Sequence, residues 1–106
     1  MGETVSRYQA VFNGQVIADS DDVVLLEGNV YFPLAAVRGD VLRRSRAKSL
    51  CFWKGIASYY TVEVGGARTR AAAWTYRHPS PLARSIKDRV AFWGGVQVSA
   101  VDELSR

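Results

Sequence analysis

Five consecutive residues, Cys51-Phe52-Trp53-Lys54-Gly55, hold the groups best suited to chemistry in this chain: its one cysteine and, three positions on, a lysine followed by glycine. Arg46, Lys48 and Lys54 lie close to Cys51 in sequence, and cations favour the thiolate, which is the nucleophilic form. An unpaired cysteine is more often a small buried hydrophobe, however. The single histidine, His78, is far along the chain and reaches the thiol only through the fold. Cys51 therefore reads more readily as a packed, pocket-lining residue than as a nucleophile. Lys54 can aim its ammonium at an anion while Gly55 lets a ligand approach the backbone. The glycine upstream and the Ser/Thr downstream that a phosphate-binding P-loop needs are both missing. A turn lysine beside a bulge glycine fits the same letters, and the sequence leaves the two readings open.

Trp53, Tyr59, Tyr60, Trp74 and Tyr76 supply rings on neighbouring segments. Stacking a flat base on such rings is worth about 1–3 kcal/mol, yet aromatic residues also supply much of a small domain's burial, and at least half of these belong in a core. Asp19, Asp21 and Asp22 invite a two-metal reading, because nucleotidyl transfer uses carboxylates to hold Mg²⁺ against a triphosphate. No helix start precedes them, and a solvated turn suits them better. The basic run from Arg38 to Ser49 reads as a charged strand or loop whose arginines could rim a phosphate site.

The elements that must position these groups are short strands punctuated by turns. Asn13-Gly14, Gly28-Asn29, Gly65-Gly66 and Gly94-Gly95 each separate two apolar-rich runs, the pattern of tight hairpins. Four hairpin signals predict a mainly β domain of small antiparallel sheets. Pro33–Leu42 has room for one helical turn or two. Ser80 as cap, Pro81, and the spacing of Leu82, Ile86 and Val90 predict a short helix with an apolar stripe. In the third hairpin, alternation sets Tyr60, Val62 and Val64 on one face, opposed on the partner strand by alternating Ala72, Trp74 and Tyr76 against Ala71, Ala73 and Thr75.

At 106 residues the chain is long enough for one domain, 1–106, and one core. Its +4 formal charge permits a phosphate-bearing partner without requiring one. One cysteine forms no internal disulfide and no paired-cysteine zinc site, so no metal or cofactor is expected and a cytoplasmic setting is the default. The N-terminal residues lack the apolar core of a signal peptide. No apolar run is long enough to span a bilayer as a helix, so no membrane is expected. Aromatic rings and positive charge permit single-stranded nucleic-acid binding, but no known RNA-binding motif supports it. Oligomeric state is not legible.

Five blocks in order carry a resemblance: Tyr31-Phe32-Pro33 with Val37 and Leu42; Cys51 through Val64; Ala71 through Pro81; and Ile86 through Trp93, preceded by the first hairpin. Together they resemble the family called domain of unknown function 427, also labelled nucleotidyltransferase-like. Phe52 stands where the family usually has proline, Ala36 where an acidic residue is common, and His78 where others tend to be acidic. The resemblance implies a β-rich domain of crossed antiparallel sheets, similar to the β-tent of Mss4-like proteins. The paired cysteines that hold zinc in that wider group are absent here. The residues themselves are read as a pocket near Lys54 and Trp74 for a small anionic or nucleotide-like ligand, lined by Cys51, Gly55, Tyr59, Tyr60 and Tyr76. The alternative is an enzyme: nucleotidyl transfer, as the label says, or thiol chemistry at Cys51.

Overall fold

The computed structural model describes residues 7–101. The N-terminal segment weighed above as a signal peptide lies partly outside them. Nine strands form three antiparallel sheets. β1 (Arg7–Phe12) and β2 (Gln15–Ser20) form the first hairpin, and β9 (Gln97–Val101) adds to the other side of β1. β3 (Val24–Leu26) and β4 (Asn29–Tyr31) form a two-stranded ribbon. β5 (Leu42–Cys51), β6 (Gly55–Val64), β7 (Ala67–Thr75) and β8 (Val90–Phe92) make a four-stranded sheet in that order.

Three of the four predicted turns join paired strands. At the first, Asn13 and Gly14 both take positive φ, as a tight hairpin requires, and Asn13 Nδ2 donates to the Val64 carbonyl at 2.9 Å, fastening this turn to the end of β6. The second turn is centred one residue early, on Glu27-Gly28, which matters because it aims Glu27 at the lysine described below. Gly94-Gly95 turns the chain but does not close a hairpin. After it the chain leaves the four-stranded sheet and pairs with β1 instead. The sequence reading also passed over the β5–β6 hairpin, whose turn Phe52–Lys54 carries no Asn-Gly signal.

The predicted helix is a 3-10 segment, Pro81–Ile86, broken at Ala83. Three residues per turn bring Ala83 and Ile86 to the buried side and leave Leu82 81% exposed. Val90 belongs to β8, not to a helical stripe. Pro33–Leu42 yields two single 3-10 turns, Leu34–Ala36 and Gly39–Val41. Alternation on β7 is interrupted by a bulge at which Ala71 takes a φ of +50°. Beyond it Ala72 turns to the same core as Ala73, not to that of Trp74 and Tyr76.

Both faces of the four-stranded sheet are covered at its β7–β8 side. On one face Val62, Ala73, Val90 and Phe92 pack with Ala10, Ile17 and Phe32 from the first sheet and the ribbon. On the other, Ala57, Tyr76 and Ala91 pack with Tyr31, Ala83 and Ile86. At the β5 side the first face is bare. There β5 is an edge strand, bulged between Arg44 and Lys48, and seven of its ten residues are exposed. Among the described residues no helix is long and apolar enough to cross a membrane.

Candidate functional site

Strand parity divides the sequence-predicted residues into two groups. Gly55, Ala57 and Tyr59 of β6 face one side; Ile56, Ser58 and Tyr60 face the other. The register then builds rows across the sheet. Lys48 lies opposite Ser58, Ser58 opposite Thr75, and Thr75 opposite Val90. The next row is Arg44, Tyr60, Ala73 and Phe92.

On the Tyr59 side, Lys54 is only 7% exposed. Its ammonium pairs with the Glu27 carboxylate from the β3–β4 turn. It also lies 5.5 Å from the Trp53 ring centre and 5.8 Å from that of Tyr76, close enough for the ring quadrupoles to attract it. Trp53 Nε1 donates to the same carboxylate at 3.3 Å. Behind the lysine, Trp74 Nε1 donates to Tyr31 Oη at 3.3 Å; the Tyr31 and Trp74 rings meet edge to face and Tyr59 leans on Trp74. Cys51 is half-buried beside this group.

Burial alone would depress the Lys54 ammonium, but the Glu27 hydrogen bond and the neighbouring Tyr76 and Tyr31 reverse that and raise it above its ordinary value. The same hydrogen bond holds the Glu27 carboxyl below the usual range. Burial pushes both Tyr31 and Tyr76 up. Lys54 is thus a charged ammonium paired with a carboxylate, unsuited to act as a neutral nucleophile. Gly55 explains its own identity: at φ +117° with a Cβ position 3.2 Å from the His78 carbonyl, any side chain there is strained and crowded. That close approach lets Ser80 bind the turn, its N–H donating to the Lys54 carbonyl at 2.9 Å and its hydroxyl to that of Trp53.

On the Tyr60 side the sheet is open. Arg44, Ser45, Lys48, Ser58, Tyr59, Tyr60 and Arg77 line a depression of about 200 Å³. A wider cleft of about 550 Å³ continues from it past Lys48, Gly55, Ile56, Ser58, Arg77 and His78. Lys48 Nζ donates to Ser58 Oγ at 2.8 Å and Arg77 donates to Tyr60 Oη at 3.1 Å. That hydrogen bond raises the Arg77 guanidinium above its already high value. Among the described residues, Arg44, Lys48 and Arg77 form no salt bridge, whereas Arg7, Arg38, Arg43, Lys54, Arg68 and Arg89 all face carboxylates.

The structure therefore brings Lys54, Trp74, Tyr76, Tyr59 and Cys51 together in a closed cluster, and sets Gly55 and Tyr60 against the open cleft. Ser58 and Arg77 were not singled out from sequence, and Lys48 figured only as a neighbour of Cys51 and within the basic run Arg38 to Ser49. Their signal was the register of β5 on β6, which needs the β5–β6 hairpin to be recognised first. The aspartates do not converge: Asp19 accepts from Gln9 at 3.0 Å, and Arg89 donates to the Asp22 carbonyl at 2.7 Å. Among the described residues no three His, Cys, Asp or Glu side chains gather as a metal site.

A small mainly β domain with a cationic cleft on one sheet face is the class this geometry defines. The chain belongs to the family described as Domain of unknown function (DUF427), whose model matches residues 2–104. No curated protein matches it.

Proposed function

We propose that this domain binds a small phosphate-bearing molecule in the cleft of Arg44, Lys48 and Arg77. The observation that carries the reading is three cations on one uncovered sheet face, none of them in a salt bridge among the described residues and only Arg77 under the influence of a carboxylate, that of Asp88, interleaved with the hydroxyls of Ser58 and Tyr60. Guanidinium forks and an ammonium suit a phosphate's geometry and charge, and charge-assisted hydrogen bonds are roughly twice as strong as neutral ones. Gly55 keeps the floor low beside Lys48, and the Tyr60 ring walls the far side. The pocket expected beside Lys54 and Trp74 becomes, in this reading, the cleft on the opposite face, with Gly55 shared between them. Lys54 keeps a supporting part: paired with Glu27, it holds the turn from which Gly55 and β6 begin.

Isothermal titration calorimetry with inorganic phosphate at low salt tests the reading. Lys48→Ala and Arg77→Ala should each weaken binding roughly tenfold, the loss expected of one charged hydrogen bond, and added salt should weaken the wild type as exposed charges are screened. Affinity unchanged in both variants would sink the reading.

A further inference from the structure

The cleft continues beyond Tyr60. On the other side of the Arg77–Tyr60 contact lies a compartment of about 340 Å³ walled by Leu34, Tyr60, Thr75, Arg77, Asp88 and Val90. Two of these walls, Tyr60 and Arg77, also belong to the phosphate cleft, so the two spaces are neighbours. Their chemistry differs. Leu34 and Val90 make the new compartment largely apolar, and Asp88 sets one carboxylate at its rim.

Thr75 sits at the junction. It is 95% buried by its 5% exposure, yet among the described residues its Oγ1 has no hydrogen-bond partner. Buried hydroxyls are nearly always bonded, because stripping one of water without replacement is destabilising. Valine would fill the same volume on a strand without that penalty, so packing alone does not account for a threonine here. A partner that arrives from outside does. A change of χ1 well is the motion that would turn the hydroxyl toward the compartment.

We propose that this compartment is a specificity subsite, holding the uncharged ring of a phosphomonoester whose polar substituent hydrogen-bonds to Thr75 Oγ1. The proposal rests on the reading of the neighbouring cleft as a phosphate site. Length agrees: Lys48 and Thr75 are two strands apart in one row, about 10 Å at ordinary strand spacing, which suits a phosphate and a six-membered ring placed end to end. Apolar walls take the ring faces, Arg77 stays with the phosphate, and Asp88 favours a substituent that can donate.

The test compares dissociation constants for inorganic phosphate, phenyl phosphate and 4-hydroxyphenyl phosphate. Phenyl phosphate should bind wild type roughly tenfold tighter than phosphate, the return on burying about 60 Å² of apolar surface, and Leu34→Asp should erase that gain relative to inorganic phosphate measured on the same variant. The 4-hydroxyl should add roughly fivefold, kept in Thr75→Ser and lost in Thr75→Val. Equal binding of phosphate and phenyl phosphate overturns the subsite and spares the phosphate cleft. So does a ring gain that survives Leu34→Asp. A hydroxyl gain that survives in Thr75→Val removes Thr75 from the proposal. Failure of all three compounds to bind overturns both readings together.

Discussion

The two faces of the four-stranded sheet carry the same kinds of side chain, a cation beside aromatic rings, and arrive at opposite results. On one face Lys54 is enclosed by Trp53 and Tyr76 and neutralised by Glu27. On the other, Lys48 and Arg77 hydrogen-bond the hydroxyls of Ser58 and Tyr60, form no salt bridge among the described residues, and only Arg77 feels a carboxylate, Asp88. The difference lies in what covers each face. The β3–β4 ribbon and the Pro81–Ile86 segment bring a carboxylate and apolar side chains to the first, whereas nothing among the described residues reaches the second at its β5 side. A lysine among rings is thus a structural clasp or a binding group according to whether another element delivers its counter-ion.

The largest expected effect tests the clasp. Lys54→Ala removes a buried stem, two ring contacts and Glu27's partner, and should cost about 3 kcal/mol. In a domain of this size that lowers the thermal midpoint by on the order of 15 °C. Phosphate affinity at a temperature where the variant is folded should be unchanged. Loss of affinity without loss of stability would exchange the roles of the two faces.

Gly55→Ala comes next. A Cβ forced to φ +117° and against the His78 carbonyl should cost about 1–2 kcal/mol, read by chemical denaturation. Because Gly55 also lines the cleft, this substitution should weaken phosphate binding as well, alone among changes on the clasp side. A fully stable Gly55→Ala would mean that the turn yields more readily than its contacts suggest.

The smallest effect is on pH dependence. The Glu27 carboxyl is held below its ordinary 4.5, so its stabilising contribution is present above that value and fades as pH falls through the lower, folded pKa. The Lys54 ammonium is raised above its ordinary 10.5, so its contribution is present below that value and is lost as pH rises through the higher, folded pKa. Glu27→Gln should flatten the acid limb of the stability curve relative to wild type. An unchanged acid limb would show that other carboxylates govern acid unfolding.

Much of this architecture is legible in the letters because turn chemistry is local. Asn13-Gly14 and Gly65-Gly66 announce their hairpins through backbone freedom alone, and strand alternation then separates Tyr59 from Tyr60. Partners distant in sequence were not legible. Nothing near Gly94 indicates that β9 will join β1, and the turn at Phe52–Lys54 lacks a glycine until Gly55, so the β5–β6 pairing went unseen. Lys54 stood out because it sits beside rings and a glycine, but the residue that decides its role, Glu27, is supplied by a different hairpin. Lys48 and Ser58 meet only through register, which no local pattern states.

The strand that supplies Arg44 and Lys48 is also the sheet's open edge. Unpaired backbone along an edge is a template for another chain, and charge together with a bulge is a common guard against it. Here both guards coincide, since the bulge falls between Arg44 and Lys48. In the proposed reading, the positive charges that would attract a phosphate would also oppose pairing of this edge with a second copy. A polyanion that bridged two such edges would then weaken the guard and favour association of the chains.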